Sequence, residues 1–372
     1  MTTAPAIEML TVGEDALERG RAHGEQFAAQ VHSNLNTYLQ RFSSSGLNHD
    51  EAMKEAQRWW DSMSGQDPEY VQEMQGIAQG SGRSTQEIAL LNARYEIAFQ
   101  LFGKDAGANS TPSVVGEADG CTTFGLLPEM TANGHVWLGQ NWDWLAGVHG
   151  QNLVLRIIRQ NKPSLICLTE AGIVGGKMGL NEHGLGLVEN GLASSHDGRN
   201  PYAAPFHMRC RQVLDARRFD QALLPIVSTR RTCSANFVVA SHEGEIIDFE
   251  TSPDHHQMIF PDQGVVTHSN HFVTPGHGES QMEKISPSTL FRAQRMRQLL
   301  RRHGTALNMD HMSAAMSDHF SHPHALCRHP DPTQAPAKQT MTTAAVLMDL
   351  TDRVMWVANG PPCSHAFHPY RL

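Results

Sequence analysis

The 372-residue chain predicts an α+β protein, on three observations taken in chain order. Helical periodicity fills the first hundred residues, a Gly/Ser/Pro-rich break follows, and short strands parted by turn signals come after it. From about Asp15 to Phe102, apolar residues recur at three- and four-residue spacing through DALERGRAHGEQFAAQVHSNLNTYLQRF, DEAMKEAQRWWDSM, PEYVQEMQGIAQG and STQEIALLNARYEIAF. That is the stripe of helices with one buried face. Ser84-Thr85-Gln86-Glu87 sets a capping hydroxyl three residues ahead of a glutamate, the mark of a helix start. Residues 1–102 are therefore expected as a helical N-terminal segment.

GKDAGANSTPSVVGEADG, residues 103–120, has no period and reads as an exposed linker, where a chain can be cut without losing a core. Beyond it, strands are expected in CTTFGLLPEM, in HVWLGQNWDW after an Asn133-Gly134 turn, and in NLVLRIIRQ, SLICLTEAG, GLGLVENG, ANFVVASHEGEIIDFET and GVVTHSN. Helical patterns interrupt them at HMRCRQVLDARRFDQALLPI and STLFRAQRMRQLLRRH, and AAVLMDLTDRVMWVANG reads as a closing hairpin. Residues 121–372 are thus expected as a mostly antiparallel sheet system with packed helices rather than as alternating βαβ units.

Composition narrows the function. Apolar residues at 40% and charged residues at 18% are those of an ordinary globular chain. A net charge of -9 argues against a broad nucleic-acid or anionic-membrane surface. MTTAPAIEMLTVGEDALERG lacks a basic stretch followed by an apolar one, and about 18 consecutive apolar residues occur nowhere, so a cytoplasmic protein without membrane attachment is expected. The cysteines at 121, 167, 210, 233, 327 and 363 are far apart with no CxxC pair, which suggests neither a disulfide framework nor a zinc ribbon.

Among these thiols, Cys121 holds the telling position, in Asp119-Gly120-Cys121-Thr122-Thr123, where the linker meets the first strand. Gly120 allows a backbone conformation that a Cβ would forbid. Attack of the Cys121 sulfur on the Gly120 carbonyl, acyl shift to sulfur and hydrolysis would cut the chain between Gly120 and Cys121. The α-amino group so freed has an ordinary pKa of about 7.7–8.0, which suits it to act as general base for its own thiol.

The DGCTT segment resembles the start of the isopenicillin N acyltransferase family, the cysteine N-terminal nucleophile hydrolases of peptidase family C45. The resemblance runs on through GQNWDW, LTEAGIVGGKMGLNEHGLGLVENGL, THSNH and RAQRM, and upstream through GIAQGSGRSTQEIALLNARYEI. It implies a four-layer αββα sandwich with two antiparallel sheets. It also implies roles: Asp143, 22 residues after Cys121, holds the new amino group, Asn270 supplies the oxyanion donor, and Asn190 lines the same site. Arg328 matches a superfamily arginine near the nucleophile, and Glu250 a family glutamate near the site. Trp142 and His271 are candidate pocket walls. The implied reaction is acyl transfer through a Cys121 thioester on a small N-acyl compound, as hydrolysis or as acyl-coenzyme A-dependent N-acylation, with no cofactor and no metal.

Three rivals remain at this level. Cys121 and His271 could form a papain-like dyad with Asn190 or Asn270 orienting the imidazole, with no chain cleavage. His319, His322, His324 and His329 could bind a metal, although HFSHPHALCRH has no HExxH spacing and no paired cysteine. The scaffold could also serve as a binding module. Expected partners are the small-molecule substrate and the chain's own cleaved N-terminal segment, with a homo-oligomeric state left open.

Overall fold

The structure, a computed structural model, describes residues 6–99 and 120–372. The expected linker at 103–119 lies outside the described residues. Strand β1 (Met9–Val12) opens the chain, followed by α1 (Ala16–Gln26), α2 (Ala28–Ser44), α3 (His49–Gln66), α4 (Pro68–Ser81), α5 (Thr85–Asn92) and further helical turns over 94–99, here α6. Four of these starts have a local cause. Asp15, Asn48, Asp67 and Ser84 cap α1, α3, α4 and α5 through their side chains, and Ser84 with Glu87 forms the capping box read from the sequence. One expectation is corrected: the N-terminal segment is not helical throughout, because β1 pairs with β4 and extends the larger sheet.

Two sheets follow. The eight-stranded sheet runs β1-β4-β5-β6-β7-β8-β9-β10 and the six-stranded sheet runs β11-β2-β3-β12-β13-β14, with β4 at Asn152–Ile157, β6 at Met178–Asn181, β10 at His255–Ile259 and β14 at Phe367–Arg371. The strands that place the site are β2 (Thr122–Leu126), β3 (Trp137–Leu145), β7 (Leu185–Gly191), β8 (Ala235–Ser241), β9 (Glu245–Ser252), β11 (Val265–His268), β12 (Thr340–Asp349) and β13 (Val354–Ala358). Every paired neighbour is antiparallel except β1 with β4. That edge pair departs from the expected pair of antiparallel sheets. It arises because β1 and β4 are separated by helices α1–α6 and by the smaller sheet's β2–β3 hairpin, a connection long enough to return in the same direction.

The sheets pack face to face through β2 and β3 against β7 and β8. Helices α7 (Phe206–Leu214) and α8 (Phe219–Val227) cover the outer face of the larger sheet, while α10 (Thr289–Arg301) and α11 (Met309–Met316) cover the smaller. The order helix, sheet, sheet, helix is the expected four-layer sandwich. Strands with both faces covered should read as near-continuous apolar runs, and β2, β3, β7 and β8 are buried at every position.

The N-terminal helices are fastened to this sandwich by buried polar contacts. Asn34 Nδ2 donates to Ala171 O at 2.9 Å, and Asn92 takes Val174 N at 3.0 Å while donating to Gly172 O at 2.9 Å. Glu170, fully buried on β5 (Leu165–Glu170), is bound by Arg94 from α6, by Lys177 Nζ at 2.5 Å and by the Tyr38 hydroxyl from α2. Among the described residues no helix is long and apolar enough to cross a membrane.

Candidate active site

Cys121 is buried immediately before β2. The β2–β3 hairpin, which turns through Asn133 and Gly134 (φ +68°), pairs Thr122 with Asn141 and returns Asp143 beside Cys121. The Cys121 thiol reaches Asp143 O at 3.8 Å. Alternation along β2 and β3 then sorts the side chains. Thr123 and Gln140 face the other sheet, where they meet Asn190 and the Glu189 backbone, whereas Thr122 and Asn141 face the α10–α11 layer.

A β-bulge in β12 lies opposite Asp143. The β3–β12 register pairs Thr342 with Asp143 and Ala344 with Trp142, leaving Thr343 as the extra residue. Bulges beside reactive groups commonly redirect a side chain. Here Thr342 Oγ1 donates to Asp143 Oδ1 at 2.6 Å, and Arg328 Nε approaches Oδ2 at 3.4 Å, with Asp143 and Arg328 both fully buried.

Two guanidinium groups close on the Gly120-Cys121 junction. Arg328 lies so near Gly120 that a Cβ there would fall 2.4 Å from its Nε and 2.6 Å from its Cζ. Only glycine fits beneath it. Its Nη2 also donates to Ser288 Oγ at 3.1 Å. Arg292, on α10, sends Nη1 to Gly120 O, to Cys121 O at 2.6 Å and to Thr122 Oγ1 at 2.8 Å, and Nη2 to Asn270 Oδ1 at 2.7 Å. One side chain thereby binds the carbonyl on each side of the Cys121 nitrogen.

Arg292 was missed in the sequence as a site residue, although it stands in the RAQRM stretch. A signal was present. The buried stripe of α10 is Thr289, Arg292, Met296 and Leu300, so an arginine occupies a core position, and arginine is almost never fully buried without a partner.

The two asparagines differ. Asn270 follows β11, with its backbone N–H donated to Thr289 Oγ1 at 2.7 Å, its carbonyl oxygen held by Arg292 and its Nδ2 donating to Gly191 O at 3.0 Å. An amide nitrogen carries two hydrogens, so one beyond the Gly191 bond can serve a reacting oxygen. Asn190 Nδ2 donates to Thr123 Oγ1 at 2.8 Å, across to the smaller sheet, and to Asn236 Oδ1 at 2.7 Å on the neighbouring β8, which engages both hydrogens.

Glu250, on β9, is turned toward a separate cluster. It accepts from His268 Nε2 at 2.8 Å, Val273 N at 2.6 Å, Thr274 N at 2.8 Å and the Thr274 hydroxyl. Burial opposes its ionisation, but the His268 bond and charge and the Thr274 and Val273 bonds hold the carboxyl below its usual range. Burial likewise opposes charge on His268, yet Asp248 and Glu250 raise it to about 9. This pair secures the loop after Asn270. His271 Nδ1 meets Thr289 Oγ1 at 3.1 Å, and burial lowers its pKa. Trp142 packs between the sheets under Lys177, whose Nζ lies 3.2 Å from the ring centroid. Of the clustered histidines, His324 Nδ1 stands 3.4 Å from Arg328 Nη1, while His319, His322 and His329 pack against one another.

This arrangement sets a thiol, a buried carboxylate, two guanidinium groups and an amide around one peptide bond, the components needed to form and collapse a tetrahedral acyl intermediate. A family model described as Acyl-coenzyme A:6-aminopenicillanic acid acyl-transferase matches residues 130–363. The 40 kDa form of acyl-coenzyme A:6-aminopenicillanic-acid-acyltransferase from Emericella nidulans is 30% identical over 281 residues, 75% of this chain and 70% of that protein. Among solved structures, the Caenorhabditis elegans N-acylethanolamine-hydrolyzing acid amidase ortholog is similar at TM-score 0.46 and 13% identity, over 62% of this chain and 93% of that one. Penicillin V acylase from Agrobacterium tumefaciens is similar at TM-score 0.45 and 13% identity, over 64% and 83%. By its match to the family model and its identity to the fungal enzyme, the chain belongs to the acyl-coenzyme A:6-aminopenicillanic acid acyl-transferase family, enzymes acting on C–N amide bonds.

Proposed function

We propose that the chain cuts itself between Gly120 and Cys121 and then works as a cysteine N-terminal nucleophile amidohydrolase or acyltransferase on a small N-acyl compound. The observation that carries this reading is the placement of Arg292 on the Gly120 carbonyl. When Cys121 Sγ adds to the Gly120 carbon, negative charge develops on that oxygen, where a fixed buried donor acts with little reorganisation. Collapse breaks the Gly120-Cys121 C–N bond, leaves the Gly120 acyl group as a thioester on Cys121 and frees the α-amine. Water then releases residues 1–120.

In the processed enzyme the α-amine takes the thiol proton, Asp143 holds the amine, and Asn270 Nδ2 donates to the oxyanion of the substrate amide. Arg328, paired with Asp143 and pressed on the Gly120 position, favours anionic sulfur. Asn190 positions the strand that bears Thr123. The acyl group passes to Cys121 and then to water or to an amine. Membership of a family named for an acyl-coenzyme A donor favours acyl-coenzyme A-dependent N-acylation as the second reading.

Denaturing gels and intact mass test the first step. Wild type should yield fragments 1–120 and 121–372 that co-purify, and Cys121→Ala one intact chain. A wild-type protein that stays a single chain yet turns over substrate would exclude the self-base mechanism. A panel of N-acyl amides and acyl-coenzyme A donors, with an added amine competing against water, separates hydrolysis from transfer.

A further inference from the structure

The fold assembles a second constellation that the reaction above does not use. Loop residues His319, Cys327 and His329 lie between α11 and β12, and Cys363 comes from the loop after β13. One ligand atom from each falls within 4.8 Å of all the others. His319 Nε2 lies 3.1 Å from His329 Nε2, and that nitrogen is 3.6 Å from Cys327 Sγ and 3.4 Å from Cys363 Sγ. A tetrahedron built on zinc–sulfur bonds of ~2.3 Å and zinc–nitrogen bonds of ~2.0–2.1 Å has edges of roughly 3.3–3.8 Å. Two of the three separations fall within that range and the third, between the two imidazole nitrogens, lies just below it.

We propose that His319, Cys327, His329 and Cys363 form a tetrahedral zinc site. Two thiols and two imidazoles are the donor set that zinc prefers over the hard, oxygen-seeking cations. Four protein ligands leave no open coordination position, which marks the site as structural rather than hydrolytic. His319 and Cys363 are exposed and Cys327 is buried, so the cluster has an entry path and an anchored floor.

The surrounding loop is already shaped by its own backbone. Cys327 N donates to Asp318 O at 3.0 Å, His329 N to Pro323 O at 3.0 Å and His322 N to His319 O at 3.1 Å. Arg295 pins the loop's start through Asp318 at 2.7 Å. The consequence reaches the active site, because Cys327 and His329 flank Arg328, the residue over Gly120 and beside Asp143. Zinc would clamp the two neighbours of a guanidinium whose position the nucleophile depends on. No spacing signature announces this, since Cys363 arrives 34 residues after His329.

Metal-stripped full-length protein without an affinity tag, kept reduced, is loaded with zinc and dialysed, and retained zinc is measured by elemental analysis. Wild type should retain one zinc per chain, Cys363→Ser should lose it, and His322→Ala, a neighbour outside the ligand set, should keep it. Cys363 is exposed, so its variant is expected to fold, which circular dichroism checks. Cobalt(II) in place of zinc should give thiolate charge-transfer bands in wild type that vanish in Cys363→Ser. Equal zinc retention in wild type and Cys363→Ser, or absence of retained zinc in the reduced wild type, would overturn the proposal. So would an intact mass 2 Da low, mapped to a Cys327–Cys363 disulfide that persists under reduction.

Discussion

The buried charge clusters around Glu170 and around Cys121 use arginine differently. Around Glu170, Arg94 and Lys177 point at a carboxylate already charged in the resting protein. Around Cys121, Arg292 points at neutral acceptors, the Gly120 and Cys121 carbonyls and the Asn270 amide oxygen. The first arrangement is satisfied in the ground state and joins the N-terminal helices to the larger sheet. Under the proposed self-cleavage the second would gain most when a neutral carbonyl becomes an oxyanion, and interactions that strengthen in the transition state are those that raise a rate.

The sharpest way to break that comparison is to remove Glu170. Glu170→Gln leaves Arg94 and Lys177 without a charge partner and should cost about 3–5 kcal/mol in urea unfolding at pH 7. Burial opposes ionisation of Glu170, yet Arg94 and Lys177 bring its pKa down to about 2. A carboxyl depressed on folding stabilises above its unfolded pKa of about 4.5, and loses that contribution as pH falls toward 2. The gap between wild type and Glu170→Gln should therefore be full at pH 7 and shrink between pH 4.5 and 2. A gap independent of pH would mean that the pair stabilises by shape alone. Lys177 is the weaker partner: burial first, then Arg94, hold its pKa at about 8 despite Glu170.

Arg292→Met tests the other side. Removing one oxyanion donor costs about 100- to 1000-fold, so fragment release on a time course should slow by that factor while Arg292→Lys recovers part of it. Unchanged processing would return Arg292 to a packing role. The smallest expected effect distinguishes the asparagines. Asn190→Ala should cost about 1–3 kcal/mol of stability by stranding Thr123 and Asn236, with kcat of the refolded enzyme near wild type. Asn270→Ala should instead lower kcat with KM little changed. The reverse pattern would exchange their roles.

Much of the site was legible because it is local. Gly120-Cys121 and Asp143 are one hairpin apart, and an Asn-Gly turn between apolar strands specifies that return. Helix starts were legible for the same reason, since Ser84 and Glu87 act within one turn. Arg292 was not, because its meaning depends on which face of α10 is buried and on what lies beneath it, 172 residues away at Gly120. Glu250 looked like a site residue until β9 turned its carboxylate to His268 and the 273–274 backbone. Strand β1 went unread because four residues carry too little periodicity to separate from a helix approach.

By itself, the sequence determined the α+β class, the helical character of most of the N-terminal segment and the hairpin that brings Asp143 back beside Cys121. Those follow from periods, caps and turns that act over a few residues. Tertiary structure alone decided that Asn190 ties two sheets while Asn270 retains a hydrogen to give, that Arg292 grips the peptide bond before the thiol, and that Cys363 joins His319, Cys327 and His329. The reason is geometric: hydrogen bonds and ligand sets depend on ångström separations between atoms far apart in the chain, and only the packing of sheets and helices sets those separations.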